Sequence, residues 1–521
     1  MNRIFSTVIL SAAAFFSPMM TWADYSPESY TLSDDGKTLA MWKGSETVID
    51  MNSDSVLKEV TAIGRNAFSK TAITKIYVGE NVETIDNWAF MDCLSLEGVG
   101  LPAGLKSLKL AVFSGCTALY DISLPSNLEE IGNSTFYNCT SLIVMGVPDG
   151  IKDLPAGCFN SCTSLGSVSL PAGLRTIGEE AFKNCTSLTA MALPEGLKSI
   201  GAYAFEACEK MMVVIFGSQL ETVESSAFSG TGLLSADLGN ITAPVSFGYN
   251  VFEDCKQLTS ATLPPTSWSI SGGMFQNCTS LQEIVIPDSY TEVPVKLCYG
   301  CSSLKKLTLG ENVEVIKNGA FFECSSLDDI VFNEKLEQID WNVFYGCSAL
   351  KSLTLPQSVK SVDDYTFSQC TSLETVHLGR NVETLGTEVF SMNPSLRSVV
   401  CEAVNPPTLG SYAFYKANQE NAVLSVELGS IGAYKEAEQW KEFGTIQALC
   451  DGIEGVVARK ASISARGCSI TVEAASETDI RIYTAEGMCV ASETAASYNI
   501  SLPCGVYIVR AGIETAKVVL N

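Results

Sequence analysis

The chain has 521 residues, of which 46% are hydrophobic and 17% charged, a globular composition with ample core-forming material. Lys and Arg number 33 against 58 Asp and Glu, a formal charge of −25. Phosphate backbones and anionic bilayers are both bound through basic patches, so nucleic acid and acidic membrane surfaces are disfavoured as partners.

In chain order, residues 1–23 read as an export signal. Arg3 gives a short positive start, Ile4 to Phe16 is mostly apolar, and Thr21-Trp22-Ala23 offers small residues flanking a cut, which places the mature start near Asp24. The apolar stretch is short for a membrane span, and nowhere later do 18 apolar residues run together. No cysteine sits just after the cut, which argues against a lipid anchor.

From Phe68 onward the sequence repeats. Phe90, Phe113, Phe136, Phe159, Phe182, Phe205 and Phe228 are spaced by 23 residues. After one longer unit the series resumes at Phe252 and Phe275, passes through Cys298 in the Phe position, and continues from Phe321 to Phe390. Three residues after most of these Phe positions comes a cysteine, as at Cys93, Cys162, Cys185 and Cys370, and three further on usually a leucine. With degenerate ends at Phe68 and Phe414 there are 16 units. Within one unit, Leu188, Met191 and Leu193 follow L-x-x-φ-x-L (φ apolar), whose φ-x-L part alternates as a half-buried strand does. Pro194 ends that strand, Leu197 and Ile200 form a second apolar pair, and Gly201, Ala204 and Phe205 lead into a tight helical turn. A unit this thin cannot bury its own apolar side, so units must stack, with strands in one parallel sheet and Phe, Cys and Leu each forming a row of the core.

The stretch "LPAGLRTIGEEAFKNCTSLTAMALPEGLKSIGAYAF" resembles the leucine-rich repeats of BspA-type surface proteins of Gram-negative anaerobes, with the pattern IG-x-x-AF-x-x-C-x-x-L-x-x-φ-x-L-P. The resemblance covers about residues 25–447. It implies a β-rich α/β solenoid: a leucine-rich repeat array of about 16 units of 23 residues, a parallel sheet with short helical turns. Tyr30–Met51 is similar to the hairpin that opens such arrays, and Val426–Ile446 to the segment that closes them, with Tyr434, Trp440 and Phe443 able to cover the last coil. The expected organisation is a signal peptide over 1–23, an N-terminal capping hairpin over 24–60, the solenoid over 61–425 and a C-terminal cap over 426–450.

Residues 455–521 change character. Short alternating runs such as "SITVEAA" and "YNISLPCGVYIVRAG" read as the strands of a small β-sandwich tail. "LPCGVYIVRAGIETAKVVLN" resembles the C-terminal sorting domains of type IX secretion cargo; a plain end domain is the alternative.

Catalytic chemistry finds little support. The 19 cysteines are an odd number, so one at least lacks an intrachain partner, and the phased ones read as buried, reduced core residues. In-register neighbours lie roughly 5 Å apart, wider than the Cβ separation of about 3.8 Å that a disulfide wants. Cys158 with Cys162, and Cys298 with Cys301, have loose metal-like spacings, but a zinc site needs four converging ligands, so no metal or other cofactor is expected. Cys468, Cys489 and Cys504 in the tail are the better disulfide candidates in an oxidising compartment. The single histidine, His377, sits at an outward strand position, which suits a surface residue better than a catalytic base. Asp328-Asp329 and Asp363-Asp364 read as solvated faces.

What remains is surface. The outward strand positions carry Tyr120, Ile143-Val144, Met212-Val213 and Ile215 in the first half and Lys305-Lys306 and Asp328-Asp329 in the second. Tyr120, Ile143, Val144, Met212 and Ile215 are the candidate ligand-binding residues, because exposed apolar side chains on a strand face mark partner sites. The resemblance implies a secreted or bacterial cell-surface protein, exported through the periplasm, that binds an extracellular protein or glycan in adhesion. The alternatives are an accessory or enzyme acting on extracellular polymers and a structural surface spacer.

Overall fold

The structure is a computed structural model and describes residues 24–265, 267–449, 461–466, 469–484, 488–503, 505–511 and 514–520. The expected signal peptide, Cys468 and Cys504 lie outside the described residues. The repeat forms a parallel β-solenoid of about 18 turns, within two compact units, Met1–Met211 and Met212–Asn521.

Each coil contributes two short strands. In the first unit, the φ-x-L strands Val48–Asp50, Lys75–Tyr77, Gly98–Gly100 and Asp121–Ile122 pair in parallel register, as do Val144–Gly146 and Ser167–Ser169. A second ladder uses two-residue strands: Ala62–Ile63, Thr84–Ile85, Ser107–Leu108 and Glu130–Ile131. In many coils proline separates the two ladders, ending the first strand and offering its carbonyl to the amide three residues on (Leu197 to Pro194, 3.0 Å); glycine takes the place at Gly79, Gly310 and Gly379. In the second unit the two-residue ladder runs in register from Glu292–Val293 to Thr408–Leu409, and the other ladder ends at Thr445–Ala448.

The third side of each coil is the Phe-bearing turn. This segment, expected as a helical turn, is built on alternation: the residues two before and two after each Phe are left-handed, as at Trp88 and Asp92 (both φ 58°). Every second amide then points along the stack. Trp88, Phe90 and Asp92 donate to the carbonyls of Leu110, Val112 and Ser114 in the following coil at 2.8–2.9 Å, while Ala89, Met91 and Cys93 donate within their own coil. All the polar backbone of the bend is therefore satisfied without a helix. Among the described residues the α-helix is confined to Ile431–Glu436.

The core is a set of columns. Phe68 to Phe205 stack face on face in the first unit with centroid separations of 4.9–5.6 Å. Phe228–Phe252–Phe275 and Phe321 to Phe414 do so in the second. Each ring is buried, and each stacked pair adds about 0.5–1.5 kcal/mol beyond burial. Where Cys298 replaces a ring, buried neighbours are larger: Met274 and Leu297 stand in a column otherwise held by residues such as Ala181 and Ala204, and Tyr290 in one held by Leu174 and Leu197.

Tryptophan closes the start of the first unit's stack and the end of the second unit's stack. Trp42, on the hairpin Tyr30–Leu32 with Thr38–Trp42, stacks on Phe68 at 5.8 Å and is flanked by Tyr25 and Tyr30. In the second unit Trp440 and Phe443 pack edge-on against Phe414, Tyr434 packs on Trp440, and Trp440 Nε1 donates to the Pro407 carbonyl at 2.9 Å.

Among the described residues the tail forms one five-stranded antiparallel sheet. Its long strand Ser469–Thr484 changes partner midway: residues 469–474 pair with Ala461–Arg466, residues 480–484 with Gly505–Ala511, and Cys489–Ser501 runs along the other edge. Glu514–Leu520 pairs with Gly505–Ala511 and lies against Ala461–Arg466, so the sheet folds over a core of Ile470, Val472, Ile480, Ile482, Tyr507 and Val509.

Because contacts run between adjacent coils, deleting one whole repeat, Glu179–Gly201, should leave a cooperatively folded protein, whereas deleting 11 residues should not. Circular dichroism melts of the two deletions check this. Phe182→Ala, which breaks the stack on both faces, should cost about 3–5 kcal/mol in denaturant titration.

Candidate binding surface

Two features decide what chemistry the molecule offers: the sulfur column inside and the strand face outside.

The thiols are core donors. Cys185 Sγ–H donates to the Phe159 carbonyl at 3.1 Å, and Cys93, Cys116, Cys139, Cys162 and Cys208 repeat that bond to the Phe carbonyl of the preceding coil at 3.0–3.2 Å. In the second unit Cys255, Cys278 and Cys301 do the same, and Cys324 bonds the carbonyl of Cys298. The same carbonyl also takes the amide of the cysteine in its own coil (Cys162 N to Phe159 O, 3.1 Å), so both lone pairs are used. Non-cysteine residues in this slot are also donors: Thr71 bonds Phe68 O and Asn393 bonds Phe367 O. Burial pushes the thiols of Cys139, Cys162 and Cys208 well up, and those of Cys185 and Cys370 to about 12. These raised thiols are free, and are poor nucleophiles and poor metal ligands. Cys158 fills the small-residue column before Phe159, which explains its spacing from Cys162. Among the described residues no group of three or more His, Cys, Asp or Glu is placed to hold a metal ion. Cys489 in the tail is a free thiol bonded to the Ala491 carbonyl.

His377 occupies its outward strand position, half-buried, with Nε2 2.7 Å from Glu402 Oε1. Glu402 also accepts from Gln357 Nε2 at 2.9 Å and faces Arg380 at 3.6 Å. Among the described residues no hydroxyl or thiol side chain is hydrogen-bonded to His377, so the imidazole braces a surface carboxylate. The carboxyl of Asp363 is raised by burial and by the neighbouring Asp340 and Asp364.

The strand face carries the apolar residues. In the first unit Tyr120, Ile143 and Val144 are 56%, 57% and 61% exposed, on consecutive coils. Tyr77 lies on the same face, where Gly98 and Gly100 leave a bare strand beside it. A Cβ at Gly100 would meet the Tyr77 ring at 3.0 Å, and one at Gly98 would meet Asp121 at 3.3 Å. The missing side chains let Lys75 reach over the strand to Asp121 (3.7 Å) and cover Tyr77 at 5.2 Å from its centroid. In the second unit Met212 and Ile215 are 45% and 53% exposed, with Val213 beside them. Leu234 on the next coil is equally open, and the longer unit hid it from the periodic reading. Farther along, Val285 and Val331 are exposed beside the Lys306–Asp329 pair (3.9 Å), so that stretch is mixed rather than charged.

Stacked parallel coils with an apolar Phe–Cys–Leu interior and a variable strand face define a leucine-rich repeat solenoid. The chain belongs to the BspA type leucine rich repeat family, whose six-copy sequence model matches residues 49–165, 130–246, 175–297, 245–364 and 291–421 in overlapping segments. A leucine-rich repeat protein from Bacteroides ovatus shares the fold at 24% identity, covering 73% of this chain and 94% of that one with a TM-score of 0.56. A leucine rich cell surface protein from Faecalibacterium prausnitzii is similar at 24% identity over 60% of this chain and 95% of its own, with a TM-score of 0.41. The pneumococcal vaccine antigen PcpA is similar at 17% identity over 80% of this chain and 92% of its own, with a TM-score of 0.36. No curated protein matches the sequence. Among the described residues no helix is long and apolar enough to cross a membrane.

The thiol column makes stability pH-dependent. An unfolded cysteine ionises near pH 8.5, while folded Cys185 and Cys370 hold their protons to about 12, so the stability they confer is full below pH 8.5 and is lost as pH rises towards 12. The melting temperature should fall through that window, less steeply in Cys185→Ser, whose hydroxyl keeps the bond to Phe159 without titrating. Thiol labelling should be slow in native protein and fast in guanidinium; mass mapping of a Cys162–Cys185 disulfide would overturn the assignment.

Proposed function

We propose that this chain is an exported, non-enzymatic repeat protein that binds an extracellular protein or glycan through its outward strand face, acting in adhesion at a bacterial cell surface. The observation that carries the reading is the exposure of large apolar side chains where the repeat does not require them: Tyr120, Ile143 and Val144 in the first unit, Met212 and Ile215 in the second. Water contact gives such side chains no benefit, whereas an interface buries them at little ordering cost. Rigid parallel coils hold them in place before a ligand arrives, which lowers the entropic cost of binding. The charge of −25 favours neutral or basic partners over acidic ones. Residues 1–23 supply the export signal in this reading, and the small tail sheet serves as the sorting or attachment module.

The test is an array of host matrix proteins and glycans probed with the mature chain, followed by Tyr120→Lys, Val144→Glu and Ile215→Glu. The expected outcome is a specific ligand whose binding falls at least about tenfold, a loss of about 1.4 kcal/mol, in these variants with nearly unchanged melting temperature. An array without any ligand would leave the spacer reading standing, and binding indifferent to the substitutions would move the contact off this face.

A further inference from the structure

An open cleft of about 1070 Å³ lies in the second unit, where the last Phe-bearing coil meets the C-terminal cap. The coil supplies Tyr412, Tyr415, Asn418 and Glu420 to its lining, and the cap supplies Glu438, Gln439 and Glu442. Phe414 lines it too, buried against Trp440.

The walls are fixed by side-chain amides. Gln439 accepts from the Ala413 amide and donates to the Gly410 carbonyl, both at 2.8 Å. Gln419 donates to the Gln439 carbonyl, and Asn418 to that of Leu396 at 2.9 Å. These bonds tie cap to coil and leave other lining groups uncommitted: the carboxylates of Glu420, Glu438 and Glu442 and the hydroxyl of Tyr412 make no side-chain hydrogen bond among the described residues. Tyr412 is 67% exposed, and its neighbour Tyr415 meets it edge to face at 5.9 Å. Lys416 lies over Tyr415, 5.0 Å from its centroid, leaving Tyr412 as the open ring.

We infer that this cavity is a subsite for a neutral saccharide. A sugar ring has an apolar C–H face that packs on an exposed aromatic ring, and a rim of hydroxyls that donate to carboxylates and accept from ammonium groups. The cavity offers each counterpart: the Tyr412 ring, three carboxylates and Lys416, on walls already rigid. Excess negative charge in the lining disfavours uronic, sialylated or sulfated sugars. The site is separate from the strand-face residues of the proposed function, so either can fail without the other.

The experiment uses the mature chain against an array of neutral glycans (maltotriose, N,N′-diacetylchitobiose, mannotriose, lactose) and sialylated and sulfated counterparts, followed by calorimetry on any hit. The expected result is binding of at least one neutral glycan, weakened at least about tenfold by Tyr412→Ala and severalfold by Glu438→Gln, with the melting temperature unchanged. Affinity should change little between about 0.05 and 0.5 M salt, because the contacts are not ion pairs. An absence of neutral-glycan binding, binding untouched by both substitutions, or capture of oligolysine instead, collapsing with salt, would each overturn the inference.

Discussion

Everything in the solenoid depends on one constraint: a 23-residue coil is too thin to enclose a core, so every side of it must be completed by the coils before and after. The backbone shows this most directly. In each Phe-bearing turn alternate amides leave their own coil and bond the next, and the two strand ladders do the same on the other sides. Side chains follow the backbone. A residue in a column contacts its own kind above and below, so a ring that suits one coil suits its neighbours, and replacement of one by Cys298 goes with larger residues alongside. The tryptophans that close the first unit's stack at its start and the second unit's at its end follow from the same constraint, since the last ring of a stack would otherwise face water.

The columns were legible in the sequence because stacking forces identity at fixed spacing. Phe, Cys and Leu recur every 23 residues, and the φ-x-L alternation reports which strand residue points in. The conformation of the turn was not legible. Left-handed backbone is a habit of Gly and Asn, yet Trp88, Ala111, Glu180 and Lys296 adopt it here. Their local preference is overridden by the amide bonds that the conformation releases towards the next coil, an interaction between residues more than 20 apart that no local pattern records. The reason for cysteine was half legible: burial followed from composition, but its role as donor to a carbonyl with a second lone pair to fill needed the geometry. Asn393, which stands in the cysteine position, keeps the donor to the preceding coil's carbonyl, whereas Thr71 in the first coil bonds the carbonyl of its own Phe68.

On the surface the same logic divides what a sequence can and cannot tell. Outward positions in regular coils could be named, and Tyr120, Ile143, Val144, Met212 and Ile215 stand exposed. Leu234 and Tyr249 are as open but sit in the longer unit, where the register that would have placed them is broken. The relief created by Gly98 and Gly100 was invisible for a different reason: it arises from what Lys75, Tyr77 and Asp121 on neighbouring coils do with the space two glycines vacate.

The division of labour between inside and outside bears on function. A periodic core makes the column residues interdependent, so a substitution there is felt by two neighbours, and thiols held protonated by burial stay chemically quiet. The outward residues carry no such obligation. At the bare strand of Gly98–Gly100 in the first unit, and at the Lys306–Asp329 pair in the second, the strand face changes from coil to coil while the strands there pair in register. A scaffold of this kind separates stability from recognition: the columns fix where a side chain stands, and its identity is free to answer to whatever it touches. Chemistry that needs several groups converging on one atom is poorly served by strands whose outward side chains stand side by side. Recognition of an extended partner, contacted a little at each coil, is what such a face does best.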